Sequence, residues 1–184
     1  TLHPAQTAEP IHADDSAGQK LLVSTTADIV NGDTTNPTSL AANPGSDGIS
    51  LREALQAAGN GNGQRLAIGF HPALEGASIT LTNELPLIVS DGVSLNGDVN
   101  ADGEPDITID GNGLTSPPFR VFNASDISVE GFRLVNCAGI GISVENYHGG
   151  AGSSVRQVAV RNNYFSGFSR SAVEVLLSGV SSAS

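Results

Sequence analysis

The sequence predicts an all-β chain, a parallel β-helix of about three coils preceded by one short capping α-helix. Three observations point there. The composition is rich in turn residues and aliphatics, one capped helical stretch is followed only by short β-runs, and apolar matches recur at fixed intervals.

The composition sets the bounds. The chain has 184 residues, which suits one domain or part of a longer one. It carries 22 Gly but no Met or Trp, so Val, Ile, Leu and Ala must build the core between many turns. Eight Lys plus Arg against 19 Asp plus Glu leave a net charge of −11. That disfavours nucleic acid, which needs a basic face, and anionic lipid, while favouring divalent cations. The one cysteine, Cys137, precludes an intrachain disulfide and reads as a small buried hydrophobe. No apolar run is long enough for a membrane span. A first residue of Thr rather than Met, with few lysines and an acidic balance, fits a bacterial exported protein, secreted or on the cell surface.

Three segments follow. Residues 1–19, with two prolines and no periodicity, read as an extended arm or linker, and His3 and His12 there lack the companions a metal site requires. Residues 20–65 hold a first strand at Lys20–Thr26, a turn-rich loop over 27–48 and the capping helix. The helix spans 51–58 and opens on Ser50-Leu51-Arg52-Glu53, a capping box in which the Ser50 hydroxyl and the Glu53 carboxylate serve each other's backbone amides. Leu51, Ala54, Leu55 and Ala58 share one face, and Gly59 and Gly61 supply the stop. No second helix shows a convincing pattern. Residues 66–184 form the coils, as short runs from Leu66–Phe70 to Ala172–Leu177.

The repeats favour stacked coils over a β-sandwich, which short strands alone leave open. Ile127 matches Val158, Val129 matches Val160 and Leu134 matches Phe165, each pair 31 residues apart. Val121 and Ile142 are 21 apart and Ile142 and Val173 are 31 apart, which places ten extra residues in the loop 144–156. About three strands in each such interval is the arithmetic of a parallel β-helix. Val121, Ile142 and Val173 are then expected in one interior column. Asn96, Asn112, Asn136 and Asn146 fall at strand ends, where Asn tolerates left-handed backbone.

Val23-Ser-Thr-Thr-Ala-Asp28, Ile49-Ser-Leu-Arg-Glu-Ala-Leu55, Ile79-Thr-Leu-Thr, Leu85-Pro-Leu-Ile and Ile107-Thr-Ile-Asp-Gly111 resemble the N-terminal region of bacterial right-handed β-helix repeat proteins of the pectate-lyase-like superfamily. The resemblance covers roughly residues 21–177 and implies a right-handed helix with its cap. It implies little about activity, because adhesin-like surface proteins, passenger domains and polysaccharide-degrading enzymes share that fold.

The best candidate site is Asp98-Val-Asn-Ala-Asp-Gly-Glu-Pro-Asp106. Asp98, Asn100 and Asp102 have the first, third and fifth positions of a calcium loop, with Gly103 at the sharp sixth. Glu104 at the seventh offers its carbonyl and Asp106 occupies the ninth, so calcium is the expected ion. The twelfth position is Ile109 instead of Glu, which leaves Asp106 or Asp110 to supply the missing carboxylate. The competing expectation is an Asp/Asn/Gly turn that needs no ion. A second candidate is the expanded loop with Tyr147, His148, Gly149 and Gly150.

Two function classes remain. A polysaccharide lyase would draw its base from Arg120, Arg133, Arg156 or Arg161, and on the 21-residue match the position after Arg120 in the next coil is Gly141. A glycoside hydrolase would pair two of Asp126, Glu130, Glu145 and Glu174 across a groove. Neither constellation stands out, so the expectation is a structural, adhesive or self-assembling module, with the N-terminal part of a carbohydrate-active enzyme as the alternative. The tail after Leu177 is short and polar, so further coils or another copy are expected to stack on the last coil, and polysaccharide is a possible partner class.

Overall fold

The computed structural model describes residues 18–61, 63–147 and 155–177. Residues 1–17 of the expected arm, with His3 and His12, lie outside the described residues, as do His148, Gly149, Gly150 and the tail 178–184. Gln19, assigned to the arm from sequence, instead opens strand β1 (Gln19–Val23).

Every strand pairing among the described residues is parallel. After β1 come β2 (Leu66–Phe70), β3 (Ser78–Thr80), β4 (Val93–Asn96), β5 (Ile107–Asp110) and β6 (Phe119–Phe122). Then follow β7 (Ile127–Glu130), β8 (Phe132–Val135), β9 (Ile142–Asn146), β10 (Val158–Arg161), β11 (Tyr164–Ser166) and β12 (Val173–Leu177). They form three sheets, in the orders β1-β2-β4-β7-β10, β11-β8-β5-β3 and β12-β9-β6. From β7 onward the chain visits the sheets in turn, and β10, β11 and β12 repeat the visit of β7, β8 and β9 one tier on.

Alternation explains the strands. In β4 through β7 the first and third residues are buried and the second and fourth half-exposed, as a period of two requires when one face is covered. Inward residues of all three sheets belong to one apolar cluster. At its centre Phe132 of β8 meets Phe70 of β2 edge-on at 5.8 Å and Phe119 of β6 at 5.1 Å, so one ring from each sheet shares the contact.

The columns correct the sequence reading in one place. Ile127 pairs with Val158, Val129 with Val160, Leu134 with Phe165 and Ile142 with Val173, as the 31-residue spacing predicts. Val121, however, pairs with Val144, and the residue beside Ile142 is Phe119. The true offset is 23 residues rather than 21, and Arg120 therefore faces Ser143 and not Gly141. A slip of two residues keeps every side chain on its own face, so hydropathy alone does not register it.

The helices differ from expectation as well. The capping helix, α2, runs Leu51–Asn60, and a shorter helix, α1, spans Pro37–Ala42 inside the stretch read as loop. Asn36 caps α1 through a bond from the Ser39 amide at 2.8 Å, Pro37 fits its first turn, and Leu40 is fully buried. One turn and a half is too short to display a periodic face. Leu51, Ala54, Leu55, Ala57 and Ala58 of α2 are buried in the same cluster as the strands, and α2 packs against β1.

Corners between sheets need left-handed backbone. Gly92, Asp126 and Gln157, each just before a strand of the five-stranded sheet, have φ of 75°, 58° and 53°. Asn112 and Asn136 are left-handed as expected, at 50° and 53°. Asn96 and Asn146 end their strands without that conformation.

Leu51 and Leu55 are 1% and 2% exposed, whereas Val175 is 59% exposed. Leu51→Ala and Leu55→Ala are each expected to lower the unfolding free energy by about 2–5 kcal/mol in urea titrations. Val175→Ala is expected to stay within about 0.5 kcal/mol of the parent protein.

Candidate functional site

The expected calcium loop is an outgrowth at a corner. Residues 97–106 join β4 to β5, whereas Gly131 alone joins β7 to β8. The excursion closes on itself: the Gly97 carbonyl accepts from the amides of Asp106 at 3.3 Å and Ile107 at 3.2 Å. Gly97 is stacked on Gly131, where a Cβ would meet the Gly131 carbonyl oxygen at 2.6 Å.

Inside the loop the acidic side chains turn toward backbone amides. Asp98 accepts from Asp102 N at 3.2 Å and Gly103 N at 2.9 Å. Asn100 Oδ1 accepts from Asp102 N at 3.0 Å, and Asp102 Oδ1 from Glu104 N at 2.8 Å. Asp106 Oδ2 accepts from Val99 N at 2.7 Å and Asn100 N at 3.2 Å. Two outside contacts steady the loop: Asn100 Nδ2 donates to Glu75, and Arg133 Nε donates to the Pro105 carbonyl. Asp98, Asn100 and Asp102 are thus brought around one turn at Gly103, with Asp106 bonded to the strand-side amides. Among the described residues no group of three or more His, Cys, Asp or Glu converges as a metal-binding group. The oxygen donors suit a hard cation in kind. Ile109, at the twelfth position, is fully buried in the core, and Asp110 spends its Oδ1 on the Asn112 amide.

The four carboxylates assigned to possible catalysis, with Arg120 and Arg161, form ion pairs. Glu145 of β9 is buried and holds Arg120 of β6 through Nε at 3.1 Å and a terminal nitrogen at 3.2 Å, and it also accepts from the Ser143 hydroxyl. The bonds from Arg120 outweigh burial and hold the Glu145 carboxyl below its ordinary pKa, and the same pairing raises Arg120. Glu130 lies 3.5 Å from Arg161, Asp126 3.4 Å from Arg65 and Glu174 3.2 Å from Arg170. Each of the four carboxylates faces a guanidinium rather than a second carboxylate, which is the arrangement of surface and sheet-face ion pairs. Arg133 lies 5.9 Å from the centre of the Tyr164 ring. Cys137 is fully buried, and burial pushes its thiol up to about 11, so it stays protonated and unreactive.

The best-connected polar cluster contains the capping box of Ser50 and Glu53 that the sequence predicts, together with Asp28 and Arg52, to which the sequence reading gave no role. Glu53 is 1% exposed and its carboxylate accepts from three amides: Asn31 at 2.7 Å, Gly32 at 2.6 Å and Ser50 at 2.8 Å. Ser50 completes the capping box by accepting from Glu53 N at 3.1 Å, and its hydroxyl donates to the Ile29 carbonyl at 2.7 Å. One residue earlier, Arg52 clasps Asp28 with Nε and a terminal nitrogen, both at 2.8 Å, and donates to the carbonyls of Asn83 and Glu84. Asp28 also accepts from the Thr82 amide at 2.7 Å and hydroxyl at 2.8 Å. Burial works to raise the Asp28 carboxyl, but the bonds from Arg52 and Thr82 together hold it below its usual value. A pair of charges beside Leu51 on a half-buried helix is the signal that marks such a clamp, because buried charges require partners. This cluster fastens the helix and the preceding loop to the strands, and its chemistry is structural.

No family model matches the chain, and neither a curated protein nor a solved structure matches it.

Removing the Glu53 carboxylate leaves the buried Ser50 amide and the part-buried amides of Asn31 and Gly32 without their acceptor, so Glu53→Ala is expected to cost about 3 kcal/mol by urea denaturation. The Asp28 carboxyl is depressed in the folded state, so its contribution is complete above the ordinary Asp pKa of about 4 and is lost as pH falls through the folded value. Unfolding free energy is therefore expected to decline below about pH 4, and Asp28→Asn should be less stable at neutral pH with a shallower acid slope.

Proposed function

We propose that this chain is an extracellular scaffold module: a right-handed parallel β-helix, closed at its N-terminal end by α2, with a structural or adhesive role and no catalytic one. The observation that carries the reading is the cyclic visit of β7–β12 to three parallel sheets around one apolar cluster. The resemblance of the Ser50–Leu55 element to the capping region of pectate-lyase-like proteins supports it, because each residue there has a packing or clamping task. The ion pairing of Asp126, Glu130, Glu145 and Glu174 favours a scaffold over a hydrolase, which needs two carboxylates across a sugar. An outward sheet face and long corner loops are the surfaces with which such a module would meet polysaccharide or a cell envelope.

The carbohydrate-active alternative draws on one observation: Tyr164 and Tyr147 are about half exposed, Tyr164 beside Arg133 and Tyr147 stacked 5.7 Å from Phe122. Exposed rings of this kind are platforms on which sugars stack. Incubation with polygalacturonate, xylan and chitin separates the two readings. The scaffold reading expects neither new reducing ends nor unsaturated products, and sustained release of either would replace it with the enzyme reading.

Calcium remains part of the proposal through Asp98, Asn100, Asp102, the Glu104 carbonyl and Asp106. The Asx bonds already gather the first three around Gly103, which favours a cation entering without refolding the loop. The protein is expected to melt at a higher temperature in calcium than in EDTA, with a gain of about 2.7 kcal/mol at a hundredfold excess over Kd. Asp98→Ala with Asp102→Ala should abolish the difference, and identical melting of the parent protein in both buffers would remove calcium from the reading.

A further inference from the structure

Asparagine is a thermolabile residue, and a following glycine makes it more so. The glycine nitrogen loses its proton and attacks the asparagine Cγ. The bond from Cγ to Nδ2 breaks and ammonia leaves. The succinimide then takes up water and opens to aspartate or isoaspartate. Glycine favours the step because it has no side chain to obstruct ring closure. The sequence contains five Asn-Gly pairs. Asn62 of one lies outside the described residues, and both members of the other four lie within them.

In each of those four the glycine amide is engaged. Gly32 N donates to Glu53 Oε1 at 2.6 Å, Gly97 N to the Glu130 carbonyl at 2.9 Å and Gly113 N to the Asn136 carbonyl at 2.7 Å. These three acceptors belong to distant segments. The nitrogen is released only when the loop leaves α2 or when two tiers separate, and such openings are rare in a packed core. The fourth pair is held differently. Gly61 N donates to the Ala58 carbonyl at 3.3 Å, three residues back at the end of α2. A helix end frays without disturbing the sheets. Asn60 is exposed, and its Nδ2 donates to the Thr34 carbonyl at 2.9 Å.

We infer that Asn60 is a site of self-modification, at which the folded chain converts to aspartate or isoaspartate ahead of Asn31, Asn96 and Asn112. The fold sets this order, because all four pairs offer the same reacting atoms. The conversion removes the Nδ2 donor to Thr34 and puts a carboxylate at the C-terminal end of α2, where the exposed carbonyls disfavour negative charge. Isoaspartate also reroutes the main chain through the side-chain carbon, which displaces Gly61 N from Ala58. Ageing of the chain therefore loosens the cap at the end of α2 opposite the Glu53 clamp.

The test incubates the full chain carrying Asn62→Gln at mildly alkaline pH, folded and in urea, and follows each pair by peptide mass spectrometry. In the folded chain Asn60 is expected to convert about tenfold or more faster than Asn31, Asn96 and Asn112, and in urea the four rates converge. Folded conversion that is uniform or absent, or that is led by another of these pairs, overturns the inference. So does a lead of Asn60 that persists unchanged in urea, which would make it a property of the local sequence. Asn60→Asp is expected to speed amide exchange at Gly61 about threefold or more and to leave Gly97 and Gly113 unchanged. Unaltered exchange at Gly61 overturns the loosening of the cap.

Discussion

A carboxylate buried without a cation must find its hydrogen bonds in the backbone, and at Glu53 that requirement organises one whole end of the molecule. Its two oxygens draw in the amides of Asn31, Gly32 and Ser50, so the loop after β1 cannot drift from the start of α2. Arg52 then reaches the other way, to Asp28 and to the chain at Asn83 and Glu84. Helix, loop and the segment after β3 become one body. The apolar face of α2 is thereby aimed at the end of the sheets, where its leucines complete the core. Leu51 and Leu55 provide the hydrophobic energy, and the polar clamp provides the orientation.

Beyond that cap, order propagates by repetition. Each strand finds its partner in the same sheet of the next tier, and each corner is held by a residue that accepts left-handed backbone. Gly, Asn and Asp fill most of these corners, and Gln157 shows that the tier imposes the conformation on a residue with no special preference for it.

Much of this was legible in the sequence because alternation and capping are local. The strands from β4 onward, the capping box and the 31-residue matches all follow from neighbours along the chain. What was not legible depends on contacts between distant segments. The register of β6 against β9 is off by two residues because Val121 and Phe119 are both apolar and inward, and only the pairing distinguishes them. Helix α1 is too short for a period and is fixed by Leu40 entering a core that the local sequence does not display. At the acidic loop the spacing of Asp98, Asn100 and Asp102 was readable. Its closure on Gly97 and its brace from Arg133 were not, since Arg133 arrives from another tier. The pairing of Glu145 with Arg120 was hidden by the same two-residue slip that misplaced Val121.

The loop 97–106 carries a consequence for how such a protein can change. The two following tiers turn the same corner with one and two residues and the preceding one with seven, and this tier uses ten while β4 and β5 keep their pairings on both sides. The two ends of the excursion meet at a single carbonyl, so the strands experience only that junction, whatever the length beyond it. Lengthening an already closed surface loop adds little entropy penalty, about 0.6 kcal/mol for each doubling. The junction at Gly97 is therefore a graft point, where peptide sequence can be exchanged or enlarged while the core remains the same. Evolution or an engineer can write new surface chemistry there without renegotiating the fold.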